Sequence, residues 1–143
     1  MPFDAVLACV TVQKCANMKA SGIHWFDQVN IPVVTFKDGD YAYALRASRD
    51  GISIWITPPN WSRPEGLVTI GSNEKVVSGE LGPQPGDRGP QRMTPQEFEQ
   101  WRKVHRVFST RGPGGDVWGE ENRAYWQGEA DRALAAIRRQ LAK

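Results

Sequence analysis

Hydrophobic and polar positions alternate most regularly between Tyr41 and Pro58, in two short runs separated by Asp50-Gly51. Alternation with a period of two marks strands with unlike faces, and Asp-Gly between such runs is a strong hairpin signal. A two-residue turn at Asp50-Gly51 sets Ser48 opposite Ser53, Ala47 opposite Ile54, Arg46 opposite Trp55 and Leu45 opposite Ile56, with Arg49 facing Ile52. Tyr43, Leu45, Ala47, Ile52, Ile54 and Ile56 then share an apolar face. Ala44, Arg46, Ser48, Ser53, Trp55 and Thr57 share the other, where one large ring stands beside one guanidinium.

Upstream, residues 4–15 (DAVLACVTVQKC) are apolar and rich in Val, Leu and Thr, which predicts a central strand. Asn17–Gly22 reads as a polar connection and His24–Phe26 as a short aromatic cluster. Ile31–Lys37 reads as a strand with Pro32 near its start, where no ladder donor is needed. Residues 31–57 thus form a three-stranded meander with turns at 38–40 and 50–51. After a loop carrying Trp61 and Arg63, Leu67–Ile70 and Lys75–Leu81 pair across Gly71-Ser72-Asn73-Glu74.

Downstream the period changes. Thr94, Pro95 and Glu97 supply an N-cap, a first-turn proline and a capping box, with Met93 and Phe98 placed for a hydrophobic staple. Phe98, Trp101, Val104, His105 and Phe108 form an apolar stripe, and Gly112–Gly115 stops the helix. A second helix starts after Asp116, with Trp126, Ala130, Ala133, Leu134, Ile137 and Leu141 on one face. Glu120 and Glu121 lie early in it and Arg138 and Arg139 late, as the helix dipole favours.

The predicted class is α+β: an antiparallel meander of about four to six strands over residues 4–81, then C-terminal helices at about 95–110 and 117–141 packed on it. The 143 residues suit one domain: a β-rich half (1–81), a flexible Pro/Gly loop (82–92) and a helical half (93–143). Over residues 31–110, strands followed by a helix with a Thr-Pro-Gln-Glu cap resemble, in architecture alone and without a diagnostic motif, the small single-stranded-DNA-binding coactivators. Fold analogy of that kind implies no function by itself.

Charge changes the picture slightly. Residues 1–87 hold seven Lys/Arg against nine Asp/Glu, and residues 88–143 hold eleven against seven. A basic C-terminal half suits an anionic partner such as nucleic acid, or simply solvates two helices. No secretory signal or run of about 20 apolar residues is evident, so a cytoplasmic protein without a membrane segment is expected. Cys9 and Cys15 make no disulfide framework and are expected as free thiols.

Candidate chemistry is sparse. His105 on an apolar stripe reads as a satisfied boundary residue, and His24 as structural. Cys9, Cys15 and His24 match no standard zinc spacing, and Gly112–Asp116 lacks the Lys-Ser/Thr ending of a phosphate loop. No catalytic residue, metal or cofactor is therefore assigned, and an enzyme is not expected. What remains is aromatic and basic: Arg46, Trp55, Trp61 and Arg63, with Arg102, Lys103 and Arg106 on the first helix. Exposed Trp and Arg are common interface anchors, which points to a non-enzymatic module docking on a protein partner, its oligomeric state open. The alternative is a nucleic-acid-binding protein, with Trp55 as a stacking platform and Lys37 and Arg63 meeting phosphates. Trp25, Trp55, Trp61 and Trp118 are the rings left for such surface work.

Overall fold

The computed structural model of the chain describes residues 1–25, 30–82, 94–110 and 119–143. Its frame is one seven-stranded antiparallel sheet: β1 (Lys19–Ile23), β2 (Ile31–Asp38), β3 (Tyr41–Ser48), β4 (Gly51–Thr57), β5 (Gly66–Ile70), β6 (Val76–Leu81) and β7 (Phe108–Ser109). Each strand pairs with the next in sequence, so the sheet is an open meander with β1 and β7 at its edges. Among the described residues three helices accompany it: α1 (Phe3–Thr11), α2 (Pro95–Val104) and α3 (Gly119–Leu141). The α+β class and the β5–β6 hairpin follow the sequence pattern. The Pro/Gly loop beyond Gly82, the Met93–Phe98 staple, the Gly112–Gly115 stop, Phe26 and Trp118 lie outside the described residues.

The first correction concerns residues 4–15, where Phe3–Thr11 is a helix rather than part of a central strand. Phe3, Val6 and Val10 recur at helical spacing and are buried, whereas Val12 is 61% exposed. Burial of that stripe against the sheet outweighs the strand preference of its valines and threonines. The helix stops at Val12, and Gln13 takes a left-handed conformation (φ 54°) that turns the chain back. Cys15 thereby returns beside Cys9, and the two form a disulfide instead of staying free thiols. The second correction follows from it: Asn17–Gly22 is no mere connection, since Lys19–Ile23 becomes the edge strand β1 paired with Ile31–Thr35.

The central hairpin forms, but its register is displaced. Ser48 pairs with Gly51, Arg46 with Ser53, Leu45 with Ile54 and Ala44 with Trp55. The turn residues are Arg49 and Asp50, with Ser48 and Gly51 at the positions where a type I turn favours Ser and Gly. Gly51 (φ 147°) has to be glycine, because a Cβ there would lie 1.9 Å from the Ile70 carbonyl oxygen. A slip of two residues preserves every face and changes every partner.

Val34, Phe36, Tyr43, Leu45, Ile52, Ile54, Val68 and Ile70 form the apolar face, and α1 and α3 both cover it. α1 lies on β3 and β4, while α3 touches β2, β5, β6 and β7. Trp126 of α3 reaches deepest. Its indole rests over Gly66 and Gly79, where a Cβ would meet the ring at 2.7 and 2.4 Å, and its Nε1–H donates to the Arg106 carbonyl at 2.6 Å. At the far end of α3, Arg139 clamps Asp38 through two bonds of 2.7 and 3.3 Å, holding that carboxyl below its ordinary range.

The capping box of α2 is present, with Thr94 Oγ1 accepting from the Glu97 N–H at 3.1 Å and Glu97 Oε1 accepting from the Thr94 N–H at 3.3 Å. However, α2 ends at Val104, not near 110, and Arg106 takes a left-handed conformation (φ 51°). Phe108 consequently pairs with Gly79 as part of β7, and Val104 is 57% exposed instead of lying on a buried stripe.

Three stability outcomes follow. Gly79→Ala is expected to lose about 1–3 kcal/mol in urea unfolding because the indole has to shift. Gly128→Ala, whose added Cβ meets nothing within 4 Å on α3, is expected to gain about 0.5–1 kcal/mol. Replacing both cysteines (Cys9→Ser with Cys15→Ser) is expected to cost about 2 kcal/mol on the chain-entropy scale, read by the same unfolding. Alkylation mass spectrometry before and after reduction verifies the bond itself.

Candidate functional site

Strand register places side chains in rows across the sheet face opposite α1 and α3. Arg46 pairs with Ser53, Ser53 with Thr69, Thr69 with Ser78 and Ser78 with Ser109, so five successive strands contribute one guanidinium and four hydroxyls in a line. Beside it, Thr35, Ala44, Trp55, Leu67 and Glu80 form a second row, which is mostly apolar. The face thus changes from hydroxylic near the β3–β4 turn to apolar farther along the strands. Ser53 Oγ and Thr69 Oγ1 lie 3.0 Å apart and are buried.

The apolar part is a small core of its own. Trp25, Ile31, Val33, Ala44 and Trp55 bury one another, with Ile23 and Leu67 half-buried against them. Trp55 is only 4% exposed. α1 and α3 share the opposite face, and Trp55 is buried instead by Trp25, Ile31, Val33 and Ala44. Trp25 was expected at the surface and is 4% exposed as well. A buried indole offers no platform to a base, so the stacking role read into Trp55 finds no accessible ring.

The other predicted positions are dispersed. Arg46 is exposed and stands opposite Ser53 rather than Trp55. Trp61 is 38% exposed and Arg63 exposed, but both occupy the β4–β5 loop, at the opposite end of β4 from Arg46's partner Ser53. Arg102 and Lys103 sit on the last turn of α2, half-buried and exposed respectively. The Arg106 guanidinium is occupied internally, 4.2 Å above the Tyr125 ring. The structure does not gather these residues into one patch.

Sequence reading missed Glu80. Burial pushes its carboxyl above the ordinary value, opposed by the neighbouring Trp25 indole and by the nearby His105. It borders a cavity of about 210 Å³ between β5, β6 and β7, with Ser78 and Ser109 on its walls. His105 is buried, and its Nδ1 lies 2.8 Å from the Trp101 carbonyl oxygen, which fits a protonated Nδ1 in a structural bond. His24 is exposed and its Nδ1 accepts from the Asn30 N–H at 3.3 Å. The thiols imagined as zinc ligands are bonded to each other, and no cluster of three or more His, Cys, Asp or Glu occurs among the described residues.

A second concave region lies at the β1 edge. Lys19, Lys37, Thr35, Met18 and Phe36 border a cleft of about 580 Å³. The four residues Lys19–Gly22 are exposed, and Ile23 is half-buried. Compared with known proteins, the chain matches no family model, no curated protein and no solved structure. Among the described residues no helix is long and apolar enough to cross a membrane.

The environment of Glu80 has a measurable sign. Because its folded-state pKa is raised, ionising it costs stability, and the cost sets in as pH rises through and above the ordinary value of 4.5. Glu80→Gln, which removes the charge and keeps the side chain's shape, is expected to be more stable than the natural chain at pH 7, with the gap closing toward pH 4. Urea titrations at the two pH values measure it. An equal gap at both would refute the assignment.

Proposed function

We propose that the chain is a non-enzymatic protein-binding module that takes an extended, acidic segment of a partner along β1. The observation that carries this is the state of that strand: it is the open edge of the sheet and exposed over nearly its whole length. An edge strand presents unpaired backbone donors and acceptors, and proteins usually blunt it with proline, bulges or a covering element. β1 contains none of these prolines, and its register with β2 is regular from Lys19↔Thr35 to Ile23↔Ile31. Strand addition supplies affinity through main-chain hydrogen bonds, and adjoining pockets supply selectivity.

Charge supports the acidic preference. Lys19 and Lys37 are both exposed and border the adjacent cleft, while Met18 and Phe36 offer it apolar surface. A segment alternating acidic and β-branched side chains matches both, since alternate residues of an added strand face opposite sides. The opposite edge, β7, is only two residues long and presents little backbone.

The test is an NMR titration with the peptide Glu-Val-Glu-Val-Glu-Val-Glu-Val, its Lys-Val counterpart and an oligothymidylate of similar charge. The acidic peptide is expected to perturb the amides of Lys19–Ile23 specifically, with the Lys-Val peptide silent. Lys19→Glu combined with Lys37→Glu is expected to weaken it by about tenfold, the scale of two partly solvated charges. Perturbations elsewhere, or tighter binding of the oligonucleotide, would overturn the reading.

A further inference from the structure

A groove of about 590 Å³ opens around the outer half of the β3–β4 hairpin, between residues of the face away from α3 and the margin of α1. That volume lies within the range of small-molecule sites, roughly 300–1,000 Å³. Arg46, Arg49, Ser48, Ser53, Trp55 and Leu67 border it, with Leu7 and Thr11 of α1 reaching its margin. Among the described residues no carboxylate lines it, and neither arginine is paired with one.

The polar groups here are biased toward donation. Guanidinium and indole nitrogens donate only, and hydroxyls do either. The Ser53–Thr69 contact uses one hydroxyl hydrogen and leaves the other available. Trp55 Nε1 and Ser48 Oγ are buried with no hydrogen-bond partner among the described residues. An unsatisfied buried polar group costs about 1–3 kcal/mol, which an incoming acceptor offsets. Half-buried Leu67, with Leu7 at the margin, provides the apolar contribution.

We propose that this groove is a binding site for a small organic oxyanion, its charged end held by Arg46 and Arg49 and its apolar body lying against Leu67, beside the unpartnered Trp55 Nε1. This site is separate from the β1 edge, and it uses residues that strand addition leaves untouched. Donors without competing carboxylates favour a phosphate monoester or carboxylate over a cation or a polyol.

The probe is 1-naphthyl phosphate, with 1-naphthol and inorganic phosphate as the two half-ligands. Binding is followed by the Trp55 indole N–H signal, identified by its loss in Trp55→Phe. 1-Naphthyl phosphate is expected to bind at least tenfold more tightly than either half-ligand and to move that signal. Arg46→Gln and Arg49→Gln, both at exposed positions, are each expected to weaken it by about fivefold or more, as for a lost charge-assisted bond. Arg63→Gln, an equal change of net charge in the β4–β5 loop, is expected to leave it unchanged. The acidic-peptide perturbation at β1 is expected to persist in Arg46→Gln, so either idea can fail alone. Three results overturn the proposal: equal binding of 1-naphthol, equal binding of inorganic phosphate, or unchanged affinity in both arginine variants.

Discussion

The indole of Trp126 is the contact on which the arrangement of the C-terminal half depends. It can lie flat against the sheet only because β5 and β6 present glycine beneath it at Gly66 and Gly79. Its single donor is met by the Arg106 carbonyl, in the short turn between α2 and β7. One side chain therefore fixes the height of α3 above the sheet and the path of the chain entering β7. Leu134 and Ile137 extend the same buried stripe, and small alanines at 130, 133 and 136 let the helix approach closely. A ring of this size contributes several kcal/mol by burial, far more than the exposed Arg139–Asp38 clamp at the other end of the helix.

Once α1 and α3 occupy one face, the opposite face has to satisfy itself without them. It does so by dividing. Trp25, Val33, Ala44 and Trp55 make a compact apolar patch, whereas the hydroxyls of Ser53, Thr69, Ser78 and Ser109 form a polar row. Ser53 and Thr69 lie almost wholly buried yet bond to each other, so the row is held without apolar packing of its own. Function is proposed where this division leaves unspent capacity: donors near the hairpin turn, and main-chain groups along β1.

The disulfide belongs to the same logic at the amino terminus. Turning the chain at Gln13 brings Cys15 under the end of α1, and the bond closes a short loop immediately before the exposed edge strand. Asn17 Nδ2–H then donates to the Lys143 carbonyl, and its own carbonyl accepts from Gln140. The approach to β1 is thus anchored to the end of α3, so a strand with no paired strand on its outer side among the described residues still has a fixed entry.

Much of the fold was legible because its signals are local. Alternation in β2–β6, the Thr94–Glu97 cap and the spacing of Trp126, Ala130, Ala133, Leu134 and Ile137 each depend on residues a few positions apart. What failed was ambiguous locally or decided at a distance. Residues 4–15 carry strand-forming side chains, and only the sheet beneath Phe3, Val6 and Val10 made them helical. Phe108 reads equally well as the last turn of a helix, and pairing with Gly79 moved it into β7. The candidate site was the least legible part. Ser53 sits between two isoleucines and Thr69 between Val68 and Ile70, so their shared face was readable. Their alignment with Arg46, Ser78 and Ser109 was not, because register joins strands through hydrogen bonds that leave no mark on either strand alone. By itself the sequence determined which residues share a face of the Tyr41–Pro58 hairpin, since alternation survives a slip of two. The tertiary structure decided that Arg46 meets Ser53, and that Trp55 is core while the groove beside it stays open.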